Sequence, residues 1–223
     1  MKKNALSRRY FILASVLLLA FVLLTFWIAM SGAGSGSVNR LDRSIENNMV
    51  SFRTDQSLVN VMLAITDIGS PQVALVIVIL LFFIIMIVRH KRVIELFLLG
   101  IVGGELLALI IKMVIERSRP VNVFMLAAQG YSYPSVHALL SVILFGGIAF
   151  LADHFARGRA VKWLITIISI CLIFLVGFSR IFLGVHFATD VLGGWLLGGS
   201  ILLFIAAIFK KIHIHKKDEL KML

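Results

Sequence analysis

The chain has 223 residues, of which 60% are hydrophobic and only 15% are charged, and its mean hydropathy is +1.02. These values exclude an ordinary soluble domain and indicate an integral membrane protein. The formal net charge of +11 does not predict nucleic-acid binding. Basic residues gather at the cytoplasmic ends of membrane helices, and no basic face of this sequence carries interleaved aromatic residues.

Six apolar segments predict an all-α bundle of six transmembrane helices, and 223 residues leave room for a single membrane domain, 1–223, with short loops. The segments cover residues 10–30, 71–88, 93–114, 136–152, 163–178 and 190–209. The first segment could be a cleaved signal peptide, but its length of about 20 apolar residues exceeds the usual 7 to 15 and favours an uncleaved span. The lone cysteine, Cys171, excludes an intramolecular disulfide.

A second kind of helix is predicted after the first span. Apolar residues recur there at spacings of three and four, at Val38, Leu41, Ile45, Met49 and Phe52. This pattern predicts an amphipathic helix on the outer membrane surface. Two roles remain open for it: a connector that covers helix ends, or a part in lipid entry.

The distribution of basic residues predicts the topology. An even number of spans places both termini on one side of the membrane. Of the 22 Lys and Arg residues, 15 fall in the connections on that side and 7 on the other. The positive-inside rule therefore places both termini in the cytoplasm.

Two pairs of glycines have the spacing of close helix packing, Gly100 with Gly104 and Gly194 with Gly198. The packing could lie within the chain or between two chains. The oligomeric state therefore stays open.

Three polar groups lie near the predicted outer ends of the spans, where charge is costly unless it is paired or functional. The first contains Lys112 and Arg119. Seven residues at 100° each place these two cations about 20° apart on an ideal helix, so they could converge on one anion if the helix continues to Arg119. The alternative is that both side chains snorkel to lipid headgroups. Arg117 and Glu116 are interpreted as a solvated ion pair.

The second group lies in YSYPSVH, before the fourth span. Pro134 suits the first position of a helix, which places Ser135 and His137 in the opening turn. Free backbone N–H groups at a helix start form an anion site. The alternative is that His137 is an ordinary surface histidine.

The third group contains Arg180, His186 and Asp190. Residues four apart are neighbours on a helix, so Asp190 could accept a hydrogen bond from one imidazole nitrogen of His186 and leave the other free to attack. An ion pair at a helix entry is the alternative for this group alone.

Together the three groups predict chemistry on a phosphoryl group. Three cations match its three equatorial oxygens, and two histidines can supply a nucleophile and an acid. The sequence has neither the ligand spacing of a metal cage nor a Gly-rich nucleotide loop, so no metal and no cofactor is expected.

The motifs KxxxxxxRP, PSxH and SRxxxxxHxxxD occur in this order between Lys112 and Asp190. This order resembles the type-2 phosphatidic acid phosphatase family, which is related to bacterial acid phosphatases and vanadium haloperoxidases. Among membrane members, the sequence looks most like bacterial phosphatidylglycerophosphate and undecaprenyl diphosphate phosphatases.

The resemblance implies hydrolysis of a lipid phosphate or diphosphate at the extracytoplasmic face of the cell membrane. His186 would attack phosphorus to form a phosphohistidine, Asp190 would orient it, and His137 would protonate the leaving group. The substrate phosphate would be bound by Lys112, Arg119, Ser135, Arg180 and nearby backbone N–H groups.

One position departs from the family pattern, because Val136 replaces the usual glycine between Ser135 and His137. A β-branched residue resists positive φ and close approach of the backbone to phosphate, so activity could be reduced if the site requires either. A lipid-headgroup binding or transport protein is the alternative function, although grip alone would need only the cations. The substrate stays open among phosphatidate, phosphatidylglycerophosphate and undecaprenyl diphosphate.

Overall fold

A computed structural model of the chain describes residues 2–31, 36–87, 91–120 and 130–219. All regular elements in these ranges are helices, which confirms the predicted all-α class. A short 3-10 turn at Ser51–Thr54 follows the second of eight α-helices. The α-helices are α1 (Lys2–Met30), α2 (Ser37–Val50), α3 (Gln56–Ile68), α4 (Pro71–Ile87), α5 (Lys91–Ile115), α6 (Val136–Phe155), α7 (Arg159–Phe182) and α8 (Ala188–Glu219).

Five of these helices are long and apolar enough to cross a membrane by themselves, namely α1, α5, α6, α7 and α8. The predicted second span, 71–88, corresponds to α4, which has only 17 residues. Helix α3 precedes α4 at an angle of 46°, and the two count as a sixth span if they are taken together. The sequence did not predict α3.

Helices α3 and α4 are separate elements, and each begins at a cap of its own. Asp55 caps α3 because its carboxylate accepts hydrogen bonds from Ser57 N at 2.8 Å and Leu58 N at 3.3 Å. Ser70 Oγ accepts from Val73 N at 3.3 Å, directly before Pro71 at the first position of α4. The chain therefore ends one helix at Ile68 and begins another.

Helices α6 and α8 form the centre of the bundle. Helix α6 packs against α7 and α8, and α1 lies along α8. The spacing of Gly194 and Gly198 brings α8 close to α6, since an added Cβ would lie 2.4 Å from Ser135 O and 2.6 Å from Leu139 O, respectively. Gly100 and Gly104 of α5 likewise face side chains of α6 and α8 in the same chain. Both glycine pairs thus serve packing within the chain.

Helix α2 turns its carboxylates toward the protein. Asp42 and Glu46 are 1% and 7% exposed, whereas Leu41 and Phe52 are 51% and 54% exposed. Only part of the predicted apolar stripe therefore lies on the buried face of α2. Phe52 belongs to the 3-10 turn rather than to α2. A helix on a membrane surface can direct apolar side chains to lipid, while its buried carboxylates require partners within the protein.

Candidate active site

Backbone hydrogen bonds join the three polar groups that the sequence singled out. Ser132 N donates to Arg117 O at 2.8 Å, which links the segment before α6 to the segment after α5. Ser135 N donates to Asp190 O at 3.0 Å, which links the start of α6 to the start of α8. The structure thus brings the predicted site residues together at one end of the bundle.

The first group converges in a different way from the prediction. Helix α5 ends at Ile115, and Glu116 follows with a φ of 50°, a left-handed conformation that is typical of helix ends. The expectation of a helix that continues to Arg119 is therefore wrong. Lys112 and Arg119 nevertheless meet at one carbonyl, because Lys112 Nζ lies 2.6 Å and an Arg119 terminal nitrogen 3.4 Å from Tyr131 O.

Arg119 also contacts the third group. Its Nε donates to Gly130 O at 3.0 Å, and one terminal nitrogen donates to Val185 O at 2.7 Å. The same nitrogen lies 3.4 Å from His186 Nε2. A guanidinium only donates hydrogen bonds, so Nε2 is the acceptor in this contact and the proton of the neutral imidazole belongs on Nδ1.

His186 Nδ1 faces Asp190 Oδ2 at 3.5 Å. This distance is too long for a good hydrogen bond, and Nδ1 is buried without another hydrogen-bond partner among the described residues. The two residues were predicted as neighbours on a helix, but His186 lies in the loop before α8 and only Asp190 lies in its first turn. The loop is held by the backbone, since Val185 N and His186 N both donate to Arg180 O.

Burial controls the charge of His186. Its pKa is lowered to about 4, chiefly by removal from water; Asp190 opposes this shift, and the positive charges of Arg180 and Lys112 contribute to it. The imidazole is therefore neutral at physiological pH, as a nitrogen nucleophile must be.

Arg180 is the third predicted phosphate ligand, and it lies buried at the end of α7. One terminal nitrogen donates to Thr66 Oγ1 of α3 at 2.7 Å. Its Nε is buried and has no hydrogen-bond partner among the described residues. An unpaired buried donor requires an explanation, and an anion bound beside it would supply one.

The second group lies at the start of α6. Ser135 is fully buried and is the N-cap of the helix, where its Oγ lies 3.5 Å from Ala138 N. His137, in the first turn, lies in the electrostatic field of the Arg180, His186, Arg119 and Lys112 side chains. The charges of the three predicted cations and of the other predicted histidine thus act on His137 at the start of α6.

Val136 is the first residue of α6. Among the described residues, Glu116 is the only one other than glycine with a positive φ. The backbone at Val136 therefore does not require glycine, and the conformational part of the predicted defect does not arise.

The segment before α6 is anchored to the first span. The Tyr133 ring is fully buried and stacks on Phe21, with 6.1 Å between ring centroids. Its hydroxyl lies 2.8 Å from Thr25 Oγ1. Gly193 leaves the space for this ring, because a Cβ there would lie 2.5 Å from it. Helix α1 therefore fixes the position from which Ser135 and His137 follow.

Arg117 corrects a sequence interpretation. It was interpreted as half of a solvated pair with Glu116, but its side chain is 8% exposed and forms ion pairs with Asp42 and Asp190, each at 2.6 Å. Thr189 accepts a further hydrogen bond from Arg117 at 2.7 Å. The sequence signal for these contacts was the i, i+4 pair of acidic residues Asp42 and Glu46 in a chain that has few acidic residues.

Comparison with known proteins agrees with this arrangement. The PAP2 superfamily pattern matches residues 93–214. Phosphatidylglycerophosphatase B of Bacillus subtilis (strain 168) is 31% identical over 190 residues, which cover 85% of this chain and 93% of that protein. An undecaprenyl-diphosphatase of Sulfolobus acidocaldarius is 30% identical over 198 residues, which cover 83% and 86%, respectively.

A solved structure gives the same assignment. The crystal structure of a transmembrane PAP2-type phosphatidylglycerolphosphate phosphatase from Bacillus subtilis matches with a TM-score of 0.80 at 29% identity, over 89% of this chain and 96% of that one. The family match covers more than half of the sequence, and the curated relatives match along most of their length. This chain therefore belongs to the PAP2 superfamily and is a membrane phosphatase that hydrolyses a lipid phosphate.

Proposed function

We propose that the chain hydrolyses the terminal phosphate of a lipid at the extracytoplasmic face without a metal ion, through a phosphohistidine on His186. The observation that carries this proposal is the setting of the His186 ring. Its Nε2 lone pair faces Arg119, whereas Nδ1 faces Asp190. The ring therefore turns Nδ1 toward the carboxylate and presents the Nε2 lone pair on the side of the proposed phosphate-binding cation, from which it can attack.

In the first step, His186 Nε2 forms a bond to phosphorus and the bond from phosphorus to the leaving oxygen breaks. His137 donates a proton to that oxygen, so the lipid leaves as a neutral alcohol or a protonated phosphate. The Nδ1 proton of His186 moves toward Asp190, which stabilises the positive charge that develops on the ring.

In the second step, water attacks phosphorus, and the P–N bond breaks to regenerate neutral His186. His137 accepts the proton from the water, which restores its starting state. Inorganic phosphate leaves the site. No other reactant is consumed.

Lys112, Arg119 and Arg180 are proposed to hold the phosphoryl oxygens, together with Ser135 and the free N–H groups at the start of α6. The unpaired, buried Nε of Arg180 supports this role. In the structure Lys112 and Arg119 donate to backbone carbonyls of the segment 130–132. Exchange of these weak neutral acceptors for an anion would strengthen the hydrogen bonds.

Two features support the side and the substrate class. The connections on the side of the termini hold 15 basic residues, whereas those on the side of the site hold 7, and this difference supports an extracytoplasmic site. Phosphatidylglycerophosphate, phosphatidate and undecaprenyl diphosphate all present a terminal phosphate on an apolar tail. The names of the relatives favour the first and the third.

Phosphate release by purified protein in detergent, measured on the three lipids side by side, tests the substrate. Activity should survive a chelator, and vanadate should inhibit because it can become five-coordinate like the transition state. Among the described residues, no three His, Cys, Asp or Glu side chains gather as a metal site. Loss of activity with chelator, restored by magnesium, would contradict the mechanism.

The phosphohistidine is tested directly by rapid acid-free quenching after incubation with a lipid labelled at its terminal phosphate. Label should attach to the wild-type protein as an acid-labile, alkali-stable adduct and should be missing from His186→Ala. Tight lipid binding without any phosphate release would favour the headgroup-binding alternative.

A further inference from the structure

A buried network of charged groups lies behind the nucleophile and connects three elements. Arg117, in the segment after α5, donates to Asp42 Oδ2 of α2 and to Asp190 Oδ1 of α8, each at 2.6 Å. Thr189 Oγ1 accepts from Arg117 at 2.7 Å and donates to Asp42 Oδ2 at 2.6 Å. Thr189 N also donates to the second oxygen of Asp42 at 3.1 Å.

The burial of this network makes its contacts energetically important. The side chains of Asp42 and Asp190 are fully buried, and that of Arg117 is 8% exposed. Removal of one partner from a buried ion pair leaves an uncompensated charge in the interior. When every buried polar group has a hydrogen-bond partner, the network holds its side chains rigidly. Arg117 also packs over the Phe187 ring at 4.6 Å, which restricts its guanidinium further.

The two oxygens of Asp190 have separate partners. Arg117 occupies Oδ1. Oδ2 accepts from Phe187 N at 2.9 Å and faces His186 Nδ1. The ion pair with Arg117 and the backbone hydrogen bond from Phe187 N therefore fix the rotation of the carboxylate and direct one oxygen to the imidazole.

We infer that Arg117 and Asp42 are positioning residues of this phosphatase: Arg117 sets the orientation of Asp190, and Asp42 holds Arg117 in place. The inference rests on the proposed role of His186 as nucleophile. It gives the outer helix α2 a part in the reaction, although none of the three motifs lies on α2. Neither residue needs to contact substrate, because each acts through Asp190.

Helix α2 also offers a matched control one turn further on. Glu46 is buried like Asp42 and pairs with an arginine, since Glu46 Oε1 lies 3.7 Å from a terminal nitrogen of Arg53. Arg53 donates in turn to the backbone oxygens of Phe182 and Ile181 at the end of α7. This second pair attaches α2 to the end of α7, so it reports the structural role of a buried acid on the same helix.

The test compares Asp42→Asn with Glu46→Gln, which are both isosteric, in steady-state hydrolysis of a lipid phosphate by folded, monodisperse protein. Asp42→Asn should lower kcat about 10- to 100-fold, the usual effect of removing an outer partner of a functional group. Its KM should change less than about threefold. Glu46→Gln should leave kcat within about threefold of wild type.

A double-mutant cycle separates positioning from general destabilisation. In an Asp190→Asn background, Asp42→Asn should cause little further loss, because residues that act through one another are not additive. Losses that multiply, a change confined to KM, or equal effects of Asp42→Asn and Glu46→Gln would overturn the inference.

Two further variants keep the test decisive if Asp42→Asn does not fold. Thr189→Val removes the hydroxyl between Asp42 and Arg117 at constant volume and should also lower kcat. Arg117→Lys, which keeps the charge but not the fork, should retain more activity than Arg117→Gln; equal activities would count against the inference.

Labelling of His186 reports separately on the proposed function. A labelled wild type with a normal Asp42→Asn refutes only this inference, whereas an unlabelled wild type refutes the phosphohistidine.

Discussion

The Nε2 atom of His186 lies 3.4 Å from a terminal nitrogen of Arg119. Because the guanidinium can only donate, this contact assigns the lone pair to Nε2 and the proton to Nδ1, on the side of Asp190. The structure therefore holds the tautomer that the proposed attack through Nε2 requires. In the proposed mechanism a phosphoryl oxygen would lie beside Arg119.

The pH dependence of kcat/KM should reflect the low pKa of His186, which burial brings to about 4. The nucleophile is neutral above its pKa, so its ionisation should not limit kcat/KM between pH 7 and about 5, whereas an ordinary histidine near 6.5 would already limit it. The measurement is kcat/KM for hydrolysis of an aryl phosphate as a function of pH, corrected for the titration of that substrate's own phosphate. A midpoint near 6.5 after this correction would contradict the proposed setting of His186.

The two histidines should differ in their response to the leaving group. His186→Ala should lose turnover with every substrate, because the covalent step needs the imidazole. His137→Ala should lose about 10²- to 10⁴-fold with a lipid phosphate, the usual worth of general acid catalysis, and less with an activated aryl phosphate. Hydrolysis of both substrates by both folded variants is the measurement. Rescue of His186→Ala but not His137→Ala by the aryl phosphate would reverse the roles.

Val136→Gly tests the one departure from the family pattern. Val136 begins α6 without a positive φ, so we expect kcat/KM to stay within about threefold of wild type. The thermal stability should fall slightly, since glycine in a helix costs roughly 0.5 to 1 kcal/mol. A tenfold gain in kcat/KM would show instead that the valine side chain obstructs the phosphate.

The sequence predicted the long apolar helices because each is apolar over its whole length, as a membrane span must be. It failed at α3, where Asn60 and Asp67 interrupt the pattern and where Gly69 and Pro71 look like a loop. The bend between α3 and α4 lies at Gly69 and Ser70, where α3 ends and Ser70 caps α4; such a cap acts over three residues and leaves no periodic signal.

The predicted site residues do lie together at one end of the bundle, because the motifs record their order and type. The supporting contacts were not predictable in the same way. The amphipathic pattern predicted a helix on the membrane surface, but not which of its sides faces the protein: at a membrane the lipid can receive the apolar residues, and Asp42 faces inward. The interpretation of Arg117 was wrong for another reason: its partner Asp42 lies 75 residues away in the sequence, so no local pattern indicates the pair.

The topology is tested by cysteines at two exposed positions, Arg43→Cys on α2 and Arg157→Cys between α6 and α7, each in a Cys171→Ala background. The basic residues predict that position 43 is extracytoplasmic and position 157 cytoplasmic. In intact cells an impermeant thiol reagent should label the first and spare the second, and lysed cells should allow both. Labelling of position 157 alone would place the proposed site on the cytoplasmic side.

The close crossing of α6 and α8 predicts a sharp difference between two Gly→Ala variants. An alanine Cβ at Gly198 would lie 2.6 Å from Leu139 O and 3.1 Å from Val142 Cβ, so the helices would have to separate. Overpacking of this kind costs about 1 to 3 kcal/mol. Gly103 is the matched control, because nothing lies within 4 Å of a Cβ there, and alanine should leave the stability equal or slightly higher.

Thermal unfolding in one detergent, followed by size-exclusion chromatography, measures the stability of both variants. Gly198→Ala should also lower kcat, because separation of the helices stretches the bond from Ser135 N to Asp190 O. Equal melting temperatures for the two variants would show that α6 and α8 do not cross at Gly198.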